Sequence, residues 1–243
     1  MFDHVTIRVS DQKASERFYD TVLATPGITE PRRGDHYAEW NDFSLGAAGP
    51  EKPVTRRLQI AFFAPNRAVV DEFWRAGTEA GYEGDGAPDP RPQYGESYYG
   101  AFLLDPDGNS VEAVHHDTSR QTGSIDHLWI RVADVAASRS FYNAVALHAG
   151  FRLETHTPDR AQFVGDGGTF SLVSGQPTEE AHLAFPVREN ETVDAFHSAL
   201  TSAGYPDNGA PGERLVYHEG YYGAFVLDPD GNNVELVNHN RGS

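Results

Sequence analysis

YYGAFVLDPDGNNVELV, residues 221–237, restates almost letter for letter the stretch YYGAFLLDPDGNSVEAV at residues 98–114. Each stretch reads as a strand, a turn built on Pro and Asp-Gly, and a second strand, which is hairpin chemistry. Each also sets one acid, Glu112 or Glu235, inside an otherwise apolar strand.

The duplication extends outward. FDHVTIRVSD (2–11) recurs as IDHLWIRVAD (125–134), ASERFY (14–19) as ASRSFY (137–142) and AGY (80–82) as AGY (203–205), all at an offset of 123. Only the middle slips, where FSL at 43–45 answers FSL at 170–172. The 243 residues therefore read as two copies of one domain, residues 1–116 and 125–243, joined by a polar linker near HDTSRQTGS (116–124). Within a copy a looser echo appears. Strand FDHVTIRV precedes a helix, SDQKASERFYDTVLA, with Phe18, Tyr19, Val22 and Leu23 at helical spacing. RLQIAFF then precedes a second helix, NRAVVDEFWRAGTEAG, which Gly81 is placed to end. The expected class is α+β, with four βαβββ modules. No glycine fingerprint follows any strand, so a Rossmann-type domain is disfavoured.

Composition narrows the function. The formal charge of −17 comes from 36 acids against 19 bases, and such a surface repels phosphate backbones, so nucleic acid is not an expected partner. No apolar run is long enough to span a bilayer and no signal peptide precedes Met1, so a soluble cytoplasmic protein is expected. The absence of cysteine excludes disulfides, thiolate nucleophiles and zinc–thiolate sites. Any metal must be held by nitrogen and oxygen.

Strand alternation supplies such donors. In IDHLWIRV, Leu128, Ile130 and Val132 share one face, while His127, Trp129 and Arg131 share the other. In AHLAFPV, His182 lies opposite the apolar face of Leu183, Phe185 and Val187; in NNVELV, Glu235 lies opposite Val234 and Leu236. Three strands thus each carry one metal-competent side chain, spaced 55 and then 53 residues apart. Copy one repeats the spacing with His4, Gln59 and Glu112. A lone strand histidine is ordinarily a satisfied or exposed one, but three donors in phase argue for ligation. Two imidazoles and a carboxylate are a common catalytic ligand set that leaves positions open; the Gln59 and Glu112 set is the weaker one. His115, His116 and His239, at the ends of closing strands, read as surface residues. His36, His148, His156 and His197 show no identifiable partner.

These residues resemble the vicinal oxygen chelate superfamily, which includes glyoxalase I, fosfomycin- and bleomycin-resistance proteins and type I extradiol dioxygenases. DHVTIRVSD, ASERFY, QIAF and LDPDGNSVE carry the resemblance in copy one, and DHLWIRVAD, ASRSFY, HLAF and LDPDGNNVE in copy two. It implies paired modules forming two cupped, half-barrel mixed sheets with helices outside, and a metal held by the first strand of one module and the first and last strands of another. His182 and Glu235 match those places, with His4 or His127 completing the set. A fused duplicate that internalises an ancestral dimer favours His4, with the self-contained copy and His127 left open. One divalent ion is implied, with Fe2+, Mn2+, Zn2+ and Ni2+ all open, and a small-molecule substrate; the chain would act as a monomer (an internal pseudo-dimer) or a homodimer. Where glyoxalase I carries a further Glu, this chain offers Ser171 and Ser44. VYHEGYYGAFVLDPDGNNVE (216–235) nearly matches the extradiol signature, but Phe225 stands at its tyrosine and no histidine lies just upstream of His182. His218 and Glu219 are the acid–base candidates. Tyr217, Tyr222, Arg214, Trp129 and Arg131 are candidate substrate contacts. The competing expectation is a metal-free protein that sequesters a small molecule, as bleomycin-resistance relatives do.

Overall fold

The computed structural model describes residues 1–117 and 123–241, so the expected linker at 116–124 lies largely outside the described residues. The chain runs as four βαβββ modules. The first is β1 (His4–Val9), α1 (Gln12–Leu23), β2 (Arg32–Gly34), β3 (Tyr37–Trp40) and β4 (Phe43–Ala47). The second is β5 (Leu58–Phe63), α2 (Arg67–Glu79), β6 (Gly84–Pro90), β7 (Tyr99–Leu104) and β8 (Ser110–His115). The third is β9 (Ile125–Val132), α3 (Val135–Ala149), β10 (Arg152–Thr157), β11 (Arg160–Gly165) and β12 (Gly168–Ser174). The fourth is β13 (His182–Pro186), α4 (Asn190–Ser202), β14 (Asp207–Glu213), β15 (Tyr222–Leu227) and β16 (Asn233–Asn238).

Two eight-stranded sheets result, in the orders β14-β15-β16-β13-β1-β4-β3-β2 and β10-β11-β12-β9-β5-β8-β7-β6. Both are mixed: β13 pairs parallel with β16 and β5 with β8, while the outer pairs are antiparallel. By compactness the chain divides into one unit of Thr6–Trp129 and another of Met1–Val5 with Ile130–Ser243. The first five residues therefore belong with the second half of the chain.

Local chemistry explains the elements. Asp11 caps α1 by accepting from Ala14 N–H, Asn66 caps α2 through Val69 N–H, and Asp134 caps α3 through Ala136 and Ala137 N–H. Gly150 ends α3 in the left-handed region at φ 69°. Apolar helix faces and strand faces then form each core. In one unit Tyr19, Trp40, Phe43 and Phe62 pack as rings, Phe43 on Phe62 at 5.4 Å; in the other Tyr142, Phe163, Phe170 and Phe185 do so. The hairpin turns are tied to the helices by buried phenols, Tyr19 donating to Asp105 and Tyr142 to Asp228. These aspartates also accept the turn's own N–H groups, from Asp107 and Asn109 and from Asp230 and Asn232.

Candidate metal centre

Glu235 sits mid-strand in β16 with 1% exposure, beside Ala184 of parallel β13 and Phe225 of antiparallel β15. Its carboxylate lies across the strand towards Gly223, where a Cβ would stand 2.6 Å from Oε1. The glycine of YYGAF is therefore the space the acid occupies. Tyr221 donates its hydroxyl to Oε1 at 2.7 Å. Burial and the adjacent carboxylate push this phenol far above its ordinary pKa, so it remains a donor.

The parallel register of β13 and β16 sets His182 on the same face as Glu235, with Nε2 3.1 Å from Oε2. The Asp3 N–H donates to Ala184 C=O, which lays the start of β1 along β13 and brings in His4. His4 Nε2 is 3.0 Å from His182 Nε2 and 3.8 Å from Glu235 Oε2. Among the described residues these three side chains form the one group of at least three such donors that converge within 4.8 Å. Around an ion with bonds of about 2.1 Å, ligands stand about 3.0 Å apart at a right angle and about 3.4 Å at the tetrahedral angle. The separations of 3.0 and 3.1 Å match such a set, and the 3.8 Å between His4 and Glu235 is wider.

The His4 tautomer matches it too. His4 donates Nδ1–H to Asp3 Oδ2 at 2.8 Å, which leaves the Nε2 lone pair for the centre. His182 Nδ1 accepts from the Asn233 side-chain N–H at 2.6 Å, so its ring hydrogen lies on Nε2, and an ion held there would displace it. Behind His4, Asp3 Oδ1 accepts from His239 Nε2 at 2.7 Å, and His239 Nδ1 lies 2.8 Å from His218 Nε2. His218 closes the chain by donating Nδ1–H to the Glu219 carbonyl at 2.7 Å. Burial acts to raise the Asp3 carboxyl, but its hydrogen bonds with His239 and His4 outweigh it and hold the group well below the usual range.

The corresponding cluster in the other unit is built differently. His127 donates to Asp126 Oδ1 at 2.9 Å through Nδ1 and faces Glu112 Oε2 at 3.3 Å through Nε2. Gln59 Nε2 donates to the same Oε2 at 3.1 Å and Tyr98 donates to Oε1 at 2.6 Å. Both nitrogens of His127 thus meet carboxylates. Burial pulls its pKa down, yet the bonds and charges of Asp126 and Glu112 prevail and push it up to about 9.

Other expected residues are placed variously. Tyr222 faces away from Glu235, donating to Asp194 on α4, because neighbouring strand residues alternate sides. Tyr217 is exposed, its ring 4.7 Å from that of Tyr221. Arg214 lies over the Phe225 ring at 5.5 Å and donates to the carbonyls of Ala210 and Glu213. Trp129 packs edge-on against Tyr94, and Arg131 is exposed. Glu219 is exposed and serves His218 through its carbonyl. His116 and His239 correct the surface expectation: both are half-buried, bound to the aspartates that hold His127 and His4. His197 likewise has a partner, Asp207 at 2.9 Å. Sequence reading missed Asp3, Tyr221 and His239. Their signal was present, since Asp126, Tyr98 and His116 repeat them at the offset of 123.

The profile of the Glyoxalase/Bleomycin resistance protein/Dioxygenase superfamily matches residues 1–113 and again 124–236. Among solved structures, glyoxalase I from Zea mays aligns at a TM-score of 0.68 with 19% identity, covering 98% of this chain and 92% of its own. A putative dioxygenase from Bacillus subtilis aligns at 0.67 with 12% identity, covering 99% and 86%. At such identities the likeness concerns the fold. No curated protein matches the chain. With the profile matched once in each half and four βαβββ modules in the fold, the chain belongs to the Glyoxalase/Bleomycin resistance protein/Dioxygenase superfamily.

Proposed function

We propose that the protein is a divalent-metal-dependent enzyme that holds one ion through His4, His182 and Glu235 and acts on a small substrate bearing two adjacent oxygens. The observation that carries this reading is Glu235 Oε2, buried and turned towards two imidazole Nε2 atoms. A buried carboxylate beside two imidazoles is stabilised by a bound cation. When bound, the ion supplies Lewis acidity to the substrate oxygens at positions the three ligands leave open. The chain's residues do the rest. Asp3 keeps the His4 Nε2 lone pair on the site and Tyr221 keeps one oxygen of Glu235 occupied, while both ring nitrogens of His218, the acid–base candidate of the sequence, are taken up by His239 and the Glu219 carbonyl.

The reaction class is oxygenase, lyase or isomerase. Ser44 and Ser171 offer no carboxylate as a fourth ligand; they bond Thr6 and Arg160. Two histidines and one carboxylate with open positions favour oxygen chemistry on iron. The site is completed by one chain, which supports a monomer. In the other unit the His127–Glu112 ion pair favours a metal-free role, binding a small molecule.

Metal content after reconstitution with Fe2+, Mn2+, Zn2+ or Ni2+ tests the reading. About one ion per chain is expected, lost in His182→Ala. Oxygen uptake with a catechol, against isomerisation of a hemithioacetal, then separates the reaction classes. Failure to bind any of the four ions overturns the enzyme reading and leaves small-molecule sequestration.

A further inference from the structure

We propose that His239, backed by His218, is a positioning residue that fixes His4 in its Nδ1–H tautomer by clamping Asp3. The inference rests on the metal reading only in what the tautomer is for.

The hydrogen-bond inventory carries the argument. Asp3 spans two rings, His4 through Oδ2 at 2.8 Å and His239 through Oδ1 at 2.7 Å. A carboxylate accepts at both oxygens, so His239 must present Nε2–H and His4 must present Nδ1–H. At the far end the Glu219 carbonyl also only accepts, so His218 must present Nδ1–H. The 2.8 Å contact between the rings needs one further hydrogen. The two rings stack at 5.1 Å with an interplanar angle of 15°, which holds His239 against Asp3. Such a pair keeps Asp3 an acceptor in a fixed orientation, and with it the lone pair of His4 Nε2.

The other unit supplies an independent observation. Asp126 spans His127 and His116 as Asp3 spans His4 and His239. Tyr94 to Tyr98 matches Tyr217 to Tyr221, so Gly95 stands where His218 does. The chain of rings is extended only in the unit that has the full set of two histidines and one carboxylate.

The test uses metal-free protein labelled with 15N-histidine and read by long-range proton–nitrogen NMR, with His4 assigned from its loss in His4→Gln. A single Nδ1–H pattern is expected for His4 in the wild type and in His239→Gln, which keeps an N–H donor for Asp3. Mixed tautomers are expected in His239→Phe, which keeps the stacked ring and loses the bond. Zn2+ affinity should fall about 10–100-fold in His239→Phe and largely return in His239→Gln. An unchanged His4 pattern in His239→Phe overturns the proposal, as does a loss of affinity without a tautomer change. Should His239→Phe fail to fold, His218→Ala gives the same reading, with a shifted pattern expected and an unshifted one overturning it. If the wild type binds none of Fe2+, Mn2+, Zn2+ and Ni2+, the metal reading fails, and the NMR still decides the role of His239.

Discussion

Tyr221 donates to Glu235 Oε1 at 2.7 Å, and this bond leaves Oε2 for the imidazoles. Replacing Tyr221 by Phe removes the donor and frees the buried carboxylate to turn. Affinity for Zn2+ should fall roughly tenfold or more, and stability by about 1.5–3 kcal/mol, since the lost bond is to a charged group. Calorimetric titration and urea unfolding check both. Tyr98→Phe, which strips Glu112 in the same way, should cost stability and leave metal affinity alone.

Gly223 offers a geometric control on the same carboxylate. Its added methyl in Gly223→Ala would meet Glu235 Oε1 at 2.6 Å, while Gly100→Ala would meet Glu112 Oε1 at 2.5 Å. The first should displace the carboxylate and weaken ion binding at least tenfold; the second should not change it. Equal ion affinity in the two variants would sink the assignment of Glu235 as ligand.

The two units should differ in ligand repertoire by one residue. Glu235→Gln should abolish tight binding, whereas Glu112→Gln should leave about one ion per chain. Gln59→His supplies the missing imidazole beside His127 and Glu112, and a second, weaker ion per chain is expected by elemental analysis. A stoichiometry near two in the wild type would contradict this asymmetry.

His127 links stability to pH. Its pKa is about 9 in the folded chain against an ordinary 6.5, because Asp126 and Glu112 outweigh burial. A raised pKa stabilises fully below about pH 6.5 and loses that stabilisation as pH climbs through about 9. The span corresponds to roughly 3 kcal/mol at most; the same bonds lower the Asp126 carboxyl, so the interaction counts once. Urea midpoints at about pH 6, 8 and 10 should decline in the wild type and stay flatter in His127→Gln. Parallel declines would refute the ion-pair account.

The sequence alone determined the repeat, the four modules and the face on which each polar strand residue lies. These follow from local rules: alternation along a strand, helical spacing, and the Pro and Asp-Gly turn. That is why His182 and Glu235 were legible as neighbours in phase, 53 residues apart. Alternation also assigns Tyr222 to the helix side once the β15–β16 register places Phe225 opposite Glu235, but that register was not available from composition or spacing. Only the tertiary structure decided which first-strand histidine meets His182. His4 and His127 are equivalent in the sequence, and the choice depends on Asp3 N–H pairing with Ala184 C=O. Tertiary structure also decided that His239 and His116 stand behind aspartates, and that Tyr221, not Tyr222, reaches the acid. Such contacts join residues far apart in the chain, where no periodicity operates, and their partners are set by strand register and by the side on which each hairpin closes.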